Sequence, residues 1–114
     1  MSSKRAAHTA SIGALSDFLK NVRKSAHKTP KQLERYLKGV ANHRRIEILI
    51  LVSKREGITL EDIAATLNGN IKTIAEHTRR LHEAGLLNKK YVGRNMSHTL
   101  SPYGKIFHQF LQTF

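Results

Sequence analysis

Hydrophobic residues recur at helical spacing along the middle of the chain, and capping residues separate the runs. The segment TPKQ at 29–32 combines a Thr N-cap, a proline at the first helical position and a Gln three residues after the cap. This order predicts a helix from Pro30 to about Ala41. Its predicted apolar stripe consists of Leu33, Tyr36, Leu37 and Val40.

A second helix is predicted from His43 to about Arg55, with Asn42 as its N-cap and Gly57 beyond its end. Its apolar residues are Ile46, Ile48, Leu49, Ile50, Leu51 and Val52. Because they wrap most of the helix circumference, this helix is the predicted centre of the core.

Two shorter helices are predicted on either side of a turn at Asn68-Gly69. The first follows Thr59 and runs to Leu67, and the second follows Asn70 and runs from Ile71 to about Ala84. The residues expected to face the core are Ile63, Ala64 and Leu67 in the first helix, and Ile71, Ile74, Thr78 and Leu81 in the second. This pattern is typical of a helix-turn-helix pair.

Beyond Gly85 the spacing of hydrophobic residues becomes strand-like. Two segments, Leu87 to Val92 and Met96 to Leu100, flank a loop at 93–95 and predict a β-hairpin. Ser101-Pro102 then begins a last helix. Its apolar face comprises Ile106, Phe107, Phe110, Leu111 and Phe114.

The chain therefore divides into four segments. Residues 1–10 lack periodicity and predict a flexible basic arm, and residues 11–28 predict an amphipathic helix. The apolar face of that helix holds Ile12, Leu15, Phe18, Leu19 and Val22. Residues 29–100 form the helix-turn-helix with its hairpin, and residues 101–114 the C-terminal helix. The predicted fold class is mainly α with a small β-hairpin: a winged helix-turn-helix domain with extra N- and C-terminal helices.

Charge indicates a polyanionic partner. The 114 residues suffice for one domain, and 20 Lys and Arg against 8 Asp and Glu give a formal net charge of +12. Residues 34–83 are nearly balanced, with nine bases and seven acids, whereas residues 84–114 carry four bases and no acid. Nucleic acid is the first partner to consider; a surface that meets anionic lipid, or charge that serves only solubility, are the alternatives.

Other features narrow the classes of function. Cysteine is absent, which excludes disulfides, thiolate zinc sites and cysteine nucleophiles. The longest apolar run, Ile48 to Val52, is far shorter than the roughly 20 residues of a membrane span. The first ten residues contain no apolar stretch of the kind found in signal peptides. We therefore expect a cytoplasmic, nucleoid-associated protein with no membrane partner.

Four segments resemble ArsR-type winged-helix repressors: YLKGVANHRRIEIL, TLEDIAATL, TIAEHTRRLHEAGLL and the hairpin ending HTLSPYG, over about Leu37 to Gly104. Arg45 occupies the arginine position of the family's early helix, whereas Thr78 and Arg80 stand where the family usually has apolar residues. Such proteins are typically homodimers that present a recognition helix to the major groove and a β-wing to the flanking backbone. The resemblance implies a sequence-specific regulator of transcription that binds double-stranded DNA, in most cases as a repressor. MarR-like and other winged helices share much of this pattern.

The helix from Ile71 carries the predicted base-reading residues. At about 100° per residue, the face opposite its core residues holds Lys72, Thr73, Glu76, Arg79 and Arg80. A lysine or arginine can donate to the edge of guanine, and a threonine can contact the methyl group of thymine. A glutamate can accept a hydrogen bond from N4 of cytosine. Alternatively, the two arginines lie too far along the helix and contact only phosphate or Glu83. Asn70, which caps this helix, and His77, which fits the family's helix ending, complete the predicted set.

The hairpin supplies four further residues of the predicted DNA interface: Lys89, Lys90, Arg94 and Asn95. Cations here can approach phosphate or enter the minor groove. Arg94, at the tip, is the strongest candidate, and its alternative is an ordinary solvated loop charge.

The sequence offers neither a metal site nor a catalytic constellation. His77 and His82 point about 140° apart on one helix, and His98 and His108 lack a nearby acid. Glu61-Asp62 is explained by the preference for acids at helix starts. We expect no metal, no cofactor and no enzymatic activity.

The apolar faces of the first and last helices predict a homodimer interface. Its residues are the ten already named on those two faces, Ile12 to Val22 and Ile106 to Phe114. In the ArsR family such flanking helices form the dimer interface. The alternative is that they fold back onto their own core, which a chain this small also needs.

A second class of function is open: a nonspecific architectural nucleic-acid-binding protein, or an assembly module that contacts RNA or protein. The net charge favours nonspecific binding, which falls steeply with salt concentration. A repressor instead retains a preferred palindrome.

Overall fold

The computed structural model describes residues 13–17, 20 and 28–114, and residues 13–17 are helical. The elements that follow are α1 (Pro30–Val40), α2 (His43–Lys54), β1 (Ile58–Thr59), α3 (Leu60–Thr66), α4 (Ile71–Glu83), β2 (Leu87–Val92), β3 (Asn95–Leu100) and α5 (Pro102–Leu111). The strands form one antiparallel sheet in the order β1-β3-β2. A helix-turn-helix pair followed by a hairpin is a winged helix-turn-helix, so the predicted fold class is confirmed.

Part of the predicted N-terminal region lies outside the described residues. This holds for the arm at 1–10 and for four residues of the predicted dimer interface, Ile12, Phe18, Leu19 and Val22. Leu15, the fifth residue predicted on that helix face, is buried.

Each of the helices α1 to α5 begins where a side chain caps its free backbone amides. Gln32 N–H donates to Thr29 Oγ1 at 3.2 Å and Thr29 N–H donates to Gln32 Oε1 at 2.9 Å, which completes the capping box. The other N-caps are Asn42, Thr59, Asn70 and Ser101. A cap of this kind stabilises a helix by about 1 kcal/mol, which explains why the helices start where the sequence predicts.

The core lies between α2, the α3 and α4 pair, and the sheet. Ile48, Leu49 and Val52 of α2 are fully buried, as predicted for the central helix. They belong to one cluster with Ile58, Ile63, Ala64, Ile74, Leu81, Leu86, Leu87 and Leu100. Burying each large aliphatic side chain contributes roughly 1.5–3 kcal/mol, so this cluster fixes α4 against the sheet.

Two glycines permit close packing at the end of α4. A Cβ at Gly39 of α1 would collide with the Cβ of Ala84, and a Cβ at Gly104 of α5 would collide with the carbonyl oxygen of Leu86. Because glycine has no side chain, α1 approaches the end of α4, and α5 the backbone just beyond it, more closely than other residues would allow.

Three residues predicted to face the core are exposed instead. Leu33 and Leu37 are 37% and 54% exposed, because α1 packs through one edge of this stripe, where Val40 is buried and Tyr36 contacts the core. Ile71 is 45% exposed, because it lies in the first turn of α4, one turn before the first buried residue of that helix.

The strands also differ from the prediction. β1 is not among the predicted strands, because its two residues are too few to show alternation; Ile58 and Thr59 pair with His98 and Ser97 of β3. β3 begins at Asn95 instead of Met96, since Asn95 pairs with Val92. A two-residue loop remains at 93–94, with a positive φ at Gly93 as tight hairpins require.

Candidate nucleic-acid interface

The outer face of α4 is polar and exposed. Ile74, Thr78 and Leu81 are buried on the side that meets the core. Of the predicted base-reading residues, Lys72, Thr73, Arg79 and Arg80 are exposed, whereas Glu76 is half-buried. The helical spacing therefore brings the predicted residues to one surface.

Asn70 organises the start of α4. Its Oδ1 accepts the backbone N–H of Lys72 at 2.9 Å and of Thr73 at 3.3 Å. Asn68 has φ +52°, a left-handed conformation that asparagine tolerates better than most residues, and it turns the chain between α3 and α4. This cap holds the first turn of α4 and the two side chains that project from it.

Ion pairs run along the outer face of α4. Arg79 Nε donates to Glu76 Oε2 at 3.0 Å, another nitrogen of Arg79 donates to Glu83, and Arg80 Nε donates to Glu76 Oε1 at 3.2 Å. The hydrogen bond from Arg79 lowers the pKa of Glu76, and the two carboxylates raise the pKa of Arg79. Arg79 therefore bonds to both Glu76 and Glu83, and the Glu76 carboxylate is occupied by two arginines.

The hairpin places the predicted wing residues beside α4. Lys90, Arg94 and Asn95 are exposed, and Lys89 is half-buried. Burial lowers the pKa of Lys89, the charge of Arg79 lowers it further, and the charge of Glu83 opposes the shift. Lys89 therefore lies where the hairpin joins the outer face of α4.

Two apolar residues near the hairpin tip are exposed, and neither belongs to the predicted DNA interface. Tyr91 and Val92 are 71% and 60% exposed. Alternation along β2 puts Tyr91 on the sheet face of Lys89, which is the face toward α4. In the sequence, the sign of this exposure was that the two apolar residues directly precede Gly93 of the hairpin loop, at the end of β2.

Arg44 and Arg45, in the first turn of α2, are absent from the predicted DNA interface, yet Arg45 contacts His77, which lies about 160° around α4 from Arg79. Arg44 Nη1 donates to the carbonyl oxygen of Leu67 at 2.9 Å, and Arg45 Nη1 contacts His77 Nδ1 at 3.4 Å. Burial lowers the pKa of half-buried His77, and the charge of Arg45 lowers it further. The available signal was a basic first turn of α2 with no acid in it, against the preference of the helix dipole.

The described residues hold neither a metal-binding group nor a membrane span. No three His, Asp or Glu side chains among them are grouped to hold a metal ion. His98 Nδ1 donates to the carbonyl oxygen of Ile58 at 3.0 Å, and His108 Nε2 lies 3.0 Å from Ser53 Oγ. Every helix in this part of the chain is too short or too polar to cross a membrane.

The predicted dimer residues of the C-terminal helix divide into two groups. Phe107 and Leu111 pack against the core, as the alternative of folding back expects, and Ile106 is half-buried. Phe110 is 39% exposed, and Phe114, three residues beyond the end of α5, is 89% exposed. The rings of Phe110 and Phe114 meet edge to face with centroids 5.0 Å apart, which leaves an aromatic pair at the surface.

No protein-family model and no curated protein matches the sequence, but solved structures do. HlyU from Vibrio cholerae is 23% identical with a TM-score of 0.66, over 76% of this chain and 94% of HlyU. Mb0332 from Mycobacterium bovis, described as a homodimeric winged helix-turn-helix DNA-binding domain and a possible ArsR-family regulator, is 24% identical with a TM-score of 0.64, over 76% of this chain and 85% of that one. The transcriptional repressor PagR of Bacillus anthracis is 16% identical with a TM-score of 0.63, over 72% and 93%. This chain has the winged helix-turn-helix fold of ArsR-type transcriptional regulators.

Proposed function

We propose that this chain is a sequence-specific transcriptional regulator, a repressor, that binds double-stranded DNA as a homodimer. The observation that carries the proposal is the exposed polar face of α4, which lies between two basic flanks, the hairpin and the first turn of α2. In this proposal α4 is the recognition helix and the β2–β3 hairpin is the wing. The proposal includes no catalytic step, metal or cofactor, and it places the chain on chromosomal DNA in the cytoplasm.

The recognition helix divides into a base-reading end and a phosphate-binding end. Lys72 and Thr73 stand in the capped first turn, where a lysine can reach guanine and a threonine a thymine methyl group. Arg79 and Arg80 stand two turns later and suit phosphate better. Glu76 holds both arginines in place, so its role is to position them.

The wing contacts the DNA backbone through charge and through apolar surface. Lys90, Arg94 and Asn95 are exposed around the loop and can donate to phosphate oxygens. Tyr91 adds an exposed ring on the face toward the recognition helix, where it can lie against a deoxyribose or a base edge.

The dimer places two recognition helices on one palindrome. We assign the interface to the N-terminal helix and to α5 with the aromatic pair Phe110 and Phe114. A dimer through these helices would bury this pair, which is exposed to solvent in the single chain. The homodimeric state given for Mb0332 supports this assignment. Half-sites read by such a dimer lie about 34–36 Å apart, one helical turn of DNA.

Selection from a random duplex pool at physiological salt tests the proposal. We expect a two-fold symmetric site, bound about 10³-fold or more above a scrambled duplex. Lys72→Ala should weaken binding to that site by about 10- to 100-fold and relax the preference, because a base contact is lost. The matched control, Lys54→Ala, removes an exposed lysine at the far end of α2 and should retain both affinity and preference.

A nonspecific architectural role is the second candidate, and the net charge of +12 with the occupied Glu76 carboxylate favours it. It predicts equal binding to selected and scrambled duplexes. It also predicts a loss of about 10³- to 10⁵-fold in affinity between 50 and 200 mM salt, for some 6 to 10 phosphate contacts. If both results are found and the selection enriches no sequence, the chain is a nonspecific architectural protein and the proposed regulator is wrong.

A further inference from the structure

Positive groups converge where the first turn of α2 meets the middle of α4. The charge of Arg80 contributes to the lowered pKa of Arg45, and the charges of Arg44, Arg45 and Arg80 contribute to the lowered pKa of His77. Two acids lie near: Glu47, 3.7 Å from Arg44, and Glu76, which is already bound by Arg79 and Arg80. Like charges held together repel, so the cluster is complementary to an anion.

Arg45 is the least satisfied member of this cluster. Its Nε is buried and has no hydrogen-bond partner among the described residues, and its Nη1 makes a contact of 3.4 Å with His77. A guanidinium binds an oxyanion best through two parallel N–H bonds. Turning Arg45 toward an anion exchanges one long contact for two charge-assisted bonds.

The contact with Arg45 also determines the state of His77. A guanidinium only donates, so His77 Nδ1 must accept, and the proton of the neutral ring then lies on Nε2. His77 therefore keeps its one ring N–H, on Nε2, as a donor that an anion beside Arg45 can use.

The position of the cluster relative to the wing indicates which anion it meets. His77 and Arg80 are three residues apart and share one flank of α4, next to Arg45. The wing adjoins α4 on the other side, where Lys89 lies near Arg79 and Glu83. A helix in the major groove, which is about 12 Å wide, has one phosphate backbone on each side.

We propose that Arg45, His77 and Arg80 form a binding site for one phosphate of the DNA backbone, on the strand opposite to the one that the wing contacts. Arg45 and Arg80 supply the charge, and His77 adds a neutral donor. This inference rests on the proposed function, because the phosphate is part of the bound duplex. It assigns a direct contact to α2, which otherwise serves as the central core helix.

Neutralising single phosphates tests the site. The full-length wild-type chain is titrated with the selected duplex, in which one phosphate at a time is replaced by an uncharged methylphosphonate. We expect one position per half-site, on the strand away from the wing, at which neutralisation weakens binding about 10-fold or more. In Arg45→Gln that position should lose its effect, and the slope of log affinity against log salt should fall by about 0.9 for each protomer.

Two further variants separate the contact from a role in folding. Arg80→Gln alters an exposed side chain and should abolish the effect at the same phosphate, whereas Lys54→Gln, with the same charge change on α2, should leave the profile unchanged. If Arg45→Gln and Arg80→Gln keep the wild-type profile and salt slope, the phosphate site is wrong and the proposed function stands. If the wild-type chain binds no duplex at all, the proposed function itself is wrong.

Discussion

His98 makes the stability of the fold depend on pH. It is 1% exposed, and its Nδ1–H donates to the carbonyl oxygen of Ile58, which ties β1 to β3 at the base of the wing. Burial lowers the pKa of His98 below its ordinary value, and the hydrogen bond to Ile58 opposes the shift. Of the charges around it, Lys89 and His82 lower this pKa further and Glu61 raises it. We therefore expect acid to destabilise the fold through this residue.

The sign and limit of the effect follow from linkage. Between the pKa of the unfolded chain, near 6.5, and the lower pKa of the folded state, the unfolded chain binds a proton that the folded chain does not. As the pH decreases below about 6.5, the free energy of unfolding therefore decreases, until the pH has passed the folded-state pKa of His98. For one histidine the loss between pH 7.5 and 5.5 is at most about 1.4 kcal/mol. Half-buried His77 acts with the same sign.

Urea unfolding at pH 7.5 and 5.5 measures the effect in three proteins. At pH 7.5 His98→Asn should be less stable than wild type by about 1–3 kcal/mol, because a buried hydrogen bond and its packing change. Between pH 7.5 and 5.5 the free energy of unfolding of His98→Asn should decrease by less than that of wild type, and the difference should be up to about 1.4 kcal/mol. The control His43→Asn changes an exposed histidine and should match the wild-type loss. Equal acid-induced losses in wild type and His98→Asn would refute the reasoning.

Three further predictions concern single residues. Gly104→Ala should destabilise the fold by about 1–3 kcal/mol in urea unfolding, because the new Cβ collides with the Leu86 carbonyl oxygen; an unchanged midpoint would contradict this packing. Asn42→Ala removes the acceptor for two backbone amides of α2 and should cost about 1 kcal/mol in the same assay, whereas no loss would show the cap to be dispensable. Tyr91→Ala should weaken duplex binding by roughly fivefold in fluorescence anisotropy while stability changes by less than about 0.5 kcal/mol, and unchanged binding would remove Tyr91 from the interface.

Helix starts follow from the sequence because capping is a local interaction. A cap needs one side chain and an amide two or three residues away, as where the amides of Arg44 and Arg45 donate to Asn42 Oδ1. The same holds for Asn70 at the start of α4. Such contacts involve no distant part of the chain, so their sequence pattern suffices to predict them.

The covered side of each helix end is harder to predict because it depends on neighbours that are distant in sequence. Leu33 and Leu37 fit a helical stripe as well as Val40 does, yet Gly39 lets α1 pack closely on Ala84, so that only one edge of the stripe is covered. Ile71 likewise fits the stripe of α4 but lies one turn beyond the covered part. Periodicity identifies the stripe, and only the packed neighbours determine how far along it burial extends.

The two sides of the candidate interface differ in the same way. The exposed face of α4 follows from helical spacing, because its residues lie within one element. Arg45 meets His77 across 32 positions of sequence, and no pattern within α2 indicates that pair. A first turn with two arginines and no acid was the one local sign of an unusual requirement, since basic residues there oppose the helix dipole.

The packing around α4 connects the proposed interface to the proposed dimer. The chain packs closely at the C-terminal end of α4, through Gly39 against Ala84, and just beyond it, through Gly104 against Leu86, whereas the first turn of α4 has Ile71 exposed. A helix held firmly at one end presents its free end in a defined direction. Gly104 belongs to α5, the helix that also carries Phe110, one residue of the surface aromatic pair. A dimer formed through α5 would therefore set the spacing of the two recognition helices through a direct backbone contact, with no side chain between.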